Sequence, residues 1–431
     1  MTYTHVEVLR VYIWDELVGA VAPSGRAYAF EYASSWRRRG IELAPVLMPA
    51  SPPRRSQRVF SFPGLNEQTY QGLPPMLADS VPDRFGNGII DSVLAREGVL
   101  PRDVNALDRL AYVGARGMGA LTFAPASSPR VEHTAVEMNH LVEAARAALR
   151  GELDSPQVAT ESLNELIQVG TSAGGARAKA VIAWNTTTGE MRAGGITAPS
   201  GFEQWLVKFD GVGADDQLGQ AMSYGRTEFA YYLMATAAGV EMSESRLLEE
   251  GGRAHFITRR FDRPGTDGER LHMQSLCAIA AIDFNAIETN DYASLFTAAA
   301  ELGIDDTAQL FRRMVFNVLA SNNDDHSKNH AFLMDRSGTW EASPAYDITF
   351  AYNPTSPWTA KHLMSVNGKF DAITRGDLHA VGEIFDVPGY RRIVREVEDA
   401  VRRWSEFAAE AGLPDERTVE VATRLEAVAL R

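Results

Sequence analysis

Residues 321–334 read SNNDDHSKNHAFLM: two aspartates, two histidines, a lysine and three asparagines lead into an apolar run. Polar side chains at this density either face water or hold charge. Asp324 and Asn329 stand five residues apart, and Asp347 follows in SPAYDITF between Tyr346 and Ile348. Upstream, Lys208 falls within WLVKFD, and before it comes the glycine-rich stretch GTSAGGARAK at 170–179. In chain order the set is glycine turn, lysine, aspartate, asparagine, aspartate. Phosphoryl transfer from a nucleotide uses these types. Glycine-turn N–H groups wrap phosphates because no Cβ blocks the approach. A strand-borne lysine holds phosphate oxygens, an aspartate takes the hydroxyl proton, and an asparagine oxygen with a second aspartate holds magnesium. On this reading Gly174, Gly175, Ala176, Arg177 and Lys179 belong to the phosphate loop. Lys208 pairs the phosphates, Asp324 is the base, and Asn329 and Asp347 bind the metal. Glu228 could orient Lys208 through an ion pair.

Each feature alone has a plainer reading. GGARAK is not the GxxxxGK[ST] phosphate loop, and a glycine turn is more often a hairpin. A lysine ending an alternating strand faces solvent by default, and Glu228 reads as an exposed helix residue. His326 and His330 have the i,i+4 spacing of zinc ligands, but the composition around them disfavours a helix. Asp347 is the exception, because a carboxylate among apolar neighbours needs a partner or a metal to offset desolvation.

These residues need elements to position them. Residues 6–33 read as strands: Tyr28, Phe30 and Tyr32 alternate with Ala27, Ala29 and Glu31, and PSG at 23–25 marks a turn. Residues 43–64 hold five prolines and the basic segment PPRRSQR, a pattern of loop with short strands. Residues 89–95 have helical spacing, and PASSPRVEH at 125–133 reads as a linker. Helices are predicted over 138–149 and 162–169, then an apolar run to Trp184 and a strand at 205–210. The helix predicted over 226–238 stacks Phe229, Tyr232, Leu233 and Ala237 on one face, with Gly239 as its C-terminal cap. RAHFITRRF at 253–261 reads as a strand. Beyond about residue 270 the pattern is mostly helical. Phe311, Val315, Val318 and Leu319 form one stripe; Ile393, Val394, Val397, Val401 and Trp404 form another. No internal repeat is apparent. The expected fold class is α+β, a strand-rich N-terminal part and a mostly helical C-terminal lobe, divided at 1–125, 135–265 and 266–431.

The chain has 431 residues, 45% hydrophobic, which suggests two or three domains. Fifty-six acidic against 42 basic residues give a formal charge of −14. That balance argues against nucleic-acid binding over the whole surface but leaves room for a local basic groove. A single cysteine, Cys277, forms no internal disulfide and fits a reducing compartment. The N-terminal residues lack a signal-peptide pattern, and no stretch approaches the roughly 18 apolar residues of a membrane span. A cytoplasmic protein without membrane contact is expected.

The ordered combination is more specific than its parts. DDHSKN at 324–329 matches the Asp-x-His-x-Lys-Asn catalytic loop of HipA-like kinases, and SPAYD follows at 343–347. SAGGARAK at 172–179, FDR at 261–263 and LMSVNGK at 363–369 are similar to further family segments, and LADSVPDRFGN at 77–87 resembles the N-terminal subdomain. The chain thus resembles, from about residue 6 to 410, the HipA-like serine/threonine kinase toxins of type II toxin–antitoxin modules.

The resemblance implies a two-lobed protein-kinase-like fold, with a HipA N-terminal-like module before the linker and an ATP-binding small lobe after it. ATP and Mg2+ are the implied cofactors. Asp324 matches the catalytic base, Asn329 and Asp347 the metal ligands, and Lys208 the phosphate-binding lysine. His326 and Lys328 fall in the catalytic loop, beside Tyr346 of the metal segment. Arg260 and Phe261 lie where the family's hinge meets adenine. Ala173 sits in the phosphate loop, and Ser172 aligns with the serine that family members autophosphorylate. A phosphate there, carrying about −1.5 to −2 charges, would repel the phosphates of ATP; Thr171 is the adjacent alternative acceptor. Residues 350–362 are expected to meet the protein substrate, a translation component such as an aminoacyl-tRNA synthetase. A HipB-like helix-turn-helix antitoxin is the implied partner, with operator DNA contacted chiefly through it. The alternatives are a small-molecule kinase and a catalytically weak corepressor; a metal hydrolase is more remote.

Overall fold

A computed structural model of the chain describes residues 5–51, 58–96, 98–127, 178–194, 198–210, 223–250, 253–266 and 268–428. The helices expected over 138–149 and 162–169, and most of the expected linker at 125–133, lie outside these residues. So do Thr171, Ser172, Ala173, Gly174, Gly175, Ala176 and Arg177. The chain divides into two units. One comprises Met1–Met222, Leu248–Met273 and Met334–Thr339; the other comprises Ser223–Leu247, Gln274–Leu333 and Trp340–Arg431.

The first unit holds two five-stranded sheets. Strands β1 (Leu9–Ile13), β2 (Glu16–Ser24), β3 (Ala27–Tyr32), β4 (Val59–Ser61) and β5 (Leu121–Ala124) lie in the order β4-β3-β2-β1-β5. Their pairings are antiparallel. Alternation decides their faces: Leu9, Val11 and Ile13 are buried along β1, and Phe30 and Tyr32 along β3. Tyr28, expected on the same face, stays half-buried. Gly19 is required where β2 meets β3, because a Cβ there would lie 2.2 Å from the Glu31 carbonyl oxygen.

The second sheet joins β6 (Lys179–Trp184), β7 (Met191–Ala193), β8 (Glu203–Lys208), β9 (Ser245–Glu250) and β10 (Arg253–Arg259) in the order β7-β6-β8-β10-β9. Its buried face carries Ala180, Ile182, Trp205, Val207 and Ile257. Phe85, Ile89, Ile90 and Leu94 of the helix Arg84–Arg96 belong to the same apolar cluster. The segments on either side of the expected linker therefore share one core.

A buried charge cluster also ties them together. Asp262 accepts from Arg260 Nη2 at 2.6 Å, from Arg263 Nη1 at 2.6 Å and from the Gly119 N–H at 2.7 Å. Both arginines donate onward to the Gly117 carbonyl. Gly119 has φ +72, and a Cβ there would meet the Met273 backbone nitrogen at 2.9 Å, so the cradle needs glycine. Burial alone would raise the Asp262 pKa, but the two guanidiniums hold its carboxyl well below the usual carboxylate range.

The second unit is mostly helical, as the pattern predicts. The helix Tyr224–Ala237 ends before Gly239, at φ +78. The helices Thr307–Leu319 and Tyr390–Arg402 bury the two stripes read from sequence, while Trp404 opens the next helix, Trp404–Glu410. Sequence reading missed short strands at His272–Ser275, Ala331–Met334 and Trp340–Ala342, which form a three-stranded sheet. Ala331–Met334 is buried throughout, so it shows no alternation to betray a strand.

Two outcomes follow for the first unit. Asp262→Ala strips the counter-charge from two buried guanidiniums and should cost about 3–5 kcal/mol, read from urea unfolding. His272, buried with Nε2 at 3.1 Å from the Leu43 carbonyl oxygen, has its pKa lowered to about 4 by burial. The unfolded chain then binds the extra proton first, so stability falls as pH drops from about 6.5 toward 4. The slope is up to roughly 1.4 kcal/mol per pH unit. Unfolding curves of His272→Gln should lose that part of the slope.

Candidate active site

The polar loop begins where the helix Thr307–Leu319 ends. Its N-cap Asp306 accepts from the Gln309 N–H, and Tyr231 Oη donates to the Ala320 carbonyl at 2.6 Å past its other end. Ser321 then turns the chain at φ +50. On the helix's buried side lies a polar residue, Asn317, from which a chain of bonds starts. Asn322 Nδ2 donates to Asn317 Oδ1 at 2.9 Å, and Asn317 Nδ2 donates to Tyr292 Oη at 2.9 Å. Tyr292 in turn donates to Asp325 Oδ2 at 2.8 Å. The same carboxylate accepts from His362 Nδ1 at 2.9 Å and from the Leu363 N–H at 2.8 Å. Burial, reinforced by the Asp325 charge, pushes the Tyr292 phenol well above its ordinary pKa, so it remains a donor. Asp325 is therefore the buried anchor of the loop.

Asp324 is its opposite. Its side chain is 49% exposed, and its Oδ1 lies 3.8 Å from His326 Nε2. His326 has extended backbone (φ −69, ψ 165), which is followed by a 3-10 turn at Ser327–Asn329. Ser327 Oγ donates to the Ile282 carbonyl at 2.8 Å, and Phe284 packs against both the His326 ring and the Lys328 ammonium. His326 and His330 do not share a helix face, and among the described residues no group of three or more His, Cys, Asp or Glu forms a metal cluster.

Asn329 and Asp347 join this loop. Asn329 Nδ2 donates to the Asp324 carbonyl at 2.8 Å, which leaves Oδ1 as the atom to offer a cation. Tyr346 Oη donates to the Lys328 carbonyl at 2.5 Å, tying the SPAYD segment to the polar loop. Arg313, buried in the helix Thr307–Leu319, holds the Ser343 carbonyl at 2.6 Å. Asp347 is half-buried at φ +52, a left-handed conformation costing a non-glycine residue about 1–2 kcal/mol. Asp324, Asn329, Asp347, His326, Lys328 and Tyr346 are thus drawn into one loop cluster of the second unit. Residues 350–362 are pinned to it: Asn323 Nδ2 donates to the Thr359 carbonyl, and the Asn323 N–H to that of Ala351. Trp358 stands 41% exposed on this segment.

The remaining candidates lie in the first unit. Lys208 ends β8, with Nζ 5.8 Å from the Phe256 ring centre. Lys179 is in register opposite it on β6. Expected in the phosphate loop, Lys179 is instead a buried strand residue whose Nζ lies 3.3 Å from Asp83. Asp83 offsets the repulsion between like charges facing each other across a sheet. Arg260 also needs correction. Its guanidinium is buried against Asp262, so its side chain is not presented to a ligand; Phe261 beside it is half-buried. Glu228, read as exposed, is buried in the second unit. Sequence reasoning missed Tyr292, His362, Asn317 and Arg313. Only Asn317 and Arg313 left a trace there, as polar residues within a strongly apolar helix.

Comparison with known proteins adds to this geometry. Residues 171–429 match the family model of the HipA-like C-terminal domain, and residues 9–124 that of the HipA N-terminal domain. A chain of the solved Shewanella oneidensis MR-1 complex of HipA, HipB and operator DNA is similar in fold. Its TM-score is 0.63 at 18% identity, covering 98% of this chain and 96% of that one. Two Sinorhizobium fredii proteins, Y4mE and Y4dM, both named only provisionally as kinases, are 27% and 26% identical over 182 and 178 residues. Those stretches are 37% of this chain and less than half of each relative, 43% and 41%.

Adjacent aspartates should behave oppositely. Asp325→Ala leaves three buried donors unmatched and should destabilise by roughly 3–5 kcal/mol. Asp324→Ala should change stability by less than about 1 kcal/mol. Urea unfolding of both variants checks the contrast.

Proposed function

The chain belongs to the HipA family, and from that premise we propose that it is an ATP- and magnesium-dependent serine/threonine protein kinase that restrains growth. The observation carrying this reading is the half-exposed Asp324 carboxylate, on a loop whose neighbours Asn323, Asp325 and Ser327 are buried and bonded. A base must reach its substrate yet hold still, and this arrangement supplies both.

Asp324 accepts the proton of the attacking hydroxyl. Asn329 Oδ1 and the Asp347 carboxylate are hard oxygen donors of the kind magnesium prefers. When bound, the metal neutralises charge on the transferring phosphates. Asn329 serves this with one amide end because the other is fixed to the Asp324 carbonyl. Lys208 holds phosphate oxygens, and the glycine-rich segment 172–177 wraps them. Phosphorylation of Ser172 within that segment would oppose ATP binding by like charge and switch the enzyme off.

Residues 350–362 meet the protein substrate. Their tether to Asn323 and Asp325, on either side of Asp324, supports this role. A translation component such as an aminoacyl-tRNA synthetase is the substrate class that the family suggests. A HipB-like antitoxin is the partner, since the Shewanella chain of similar fold comes from a complex with HipB and operator DNA.

Incubated with labelled ATP and magnesium, the purified chain should label itself, and Ser172→Ala should remove most of that label. Asp324→Asn should slow labelling by about 10²–10⁴-fold, the range general-base catalysis contributes. Labelling of Asp324→Asn at the parent rate would sink the assignment. Labelling of hydroxylated metabolites but of no protein would redirect it to a small-molecule kinase.

A further inference from the structure

On the first unit, Ser34, Arg37, Arg38, Ser51 and Arg58 line an open depression of about 370 Å³. Arg58 closes the basic segment PPRRSQR that stands out in the sequence. Arg37 is braced by its own fold: its Nε donates to the Ala50 carbonyl at 2.9 Å. Arg38 and Arg58 are exposed. Among the described residues, none of these three guanidiniums is in an ion pair, whereas the neighbouring Arg39 is paired with Glu16. The nearby carboxylate is Glu42, whose two oxygens accept from the Ala50 and Ser51 N–H groups at 2.6 and 3.0 Å. It shapes the wall of the depression through the backbone.

Among the described residues the lining is arginine and serine. A docked protein segment draws its affinity from buried apolar and aromatic anchors, and none of the described lining residues is one. Phosphodiester groups are held by what is present: guanidinium forks and hydroxyl donors on an open surface. Guanidinium and hydroxyl contacts to phosphate carry no sequence information, so sequence selectivity is not expected. We propose that the depression lined by Arg37, Arg38 and Arg58 binds the phosphate backbone of nucleic acid, independently of the kinase reading. The chain then touches nucleic acid directly, not only through an antitoxin.

The test is fluorescence anisotropy of the full chain with a labelled mixed-sequence duplex across a salt series. Three phosphate contacts give a slope of log K against log salt near −2.7, about −0.9 per contact. Arg38→Ala/Arg58→Ala should flatten that slope by about two and weaken binding at least roughly tenfold at low salt. Arg10→Ala/Arg102→Ala removes the same charge from exposed positions elsewhere on this unit and should leave the slope unchanged. Absence of binding by the parent at low salt would overturn the proposal, as would equal loss in both double variants. At constant ionic strength, displacement of the duplex by millimolar inorganic phosphate would reassign the depression to free phosphate. Displacement by a polyglutamate peptide at matched charge would reassign it to an acidic protein segment.

Discussion

The polar loop at 321–330 depends on the desolvation of one carboxylate. Asp325 is buried, and a buried carboxylate persists only where donors replace its water. Its three donors come from Tyr292, His362 and Leu363, two regions far apart in sequence. Satisfying Asp325 therefore fixes the loop against the start of one helix and the end of the 350–362 segment at once. The extended backbone beside it supplies the rest. Successive side chains in extended chain point to opposite sides. Inward anchoring of Asp325 turns Asp324 outward, where its side chain stands 49% exposed. Exposure of the Asp324 carboxylate is thus a consequence of burying its neighbour.

The first unit solves a related problem with the signs reversed. Arg260 and Arg263 are buried, and Asp262 between them carries a single negative charge. One carboxylate does not neutralise two guanidiniums, so backbone carbonyls supply the balance. Gly117 receives from both arginines, and Arg270 nearby donates to the carbonyls of Ala115 and Gly119. The segment 115–119 thereby becomes a ring of acceptors. It locks the end of the Lys208 sheet to the β1–β5 sheet, independently of the apolar core the two share.

What was legible in the sequence was whatever is encoded locally. Strands with one buried face betray themselves by alternation, as β1 does, and amphipathic helices by their stripes, as Thr307–Leu319 does. Asp324, Asn329 and Asp347 could be picked out because each is a local oddity: a crowded polar run, or a carboxylate among apolar neighbours. Their supports could not. Asp325 meets Tyr292 and His362 at separations of 33 and 37 residues, and nothing near any of the three announces the others. Arg260 misled for the same reason in reverse. Its position in a hinge-like stretch suggested a ligand contact, but Asp262, two residues on, draws its charge inward. Lys179 followed the glycine turn closely enough to be grouped with it, yet an apolar run starts one residue earlier and makes it part of a strand.

Charge also acts locally in this chain, which bears on its overall −14. At physiological ionic strength the field of an exposed charge decays over about 8 Å. A surface group responds to its immediate neighbours far more than to the sum over 431 residues. Net acidity can therefore keep most of the surface from polyanions while a few unpaired arginines hold a positive region of their own. Arg37, Arg38 and Arg58 differ in their company from the paired arginines of the surface. Arg39, Arg259 and Arg403 each face a glutamate, and their charge is answered on the spot. The three around the depression share its lining with Ser34 and Ser51 and are in no ion pair among the described residues, which is what the proposed phosphate contact requires.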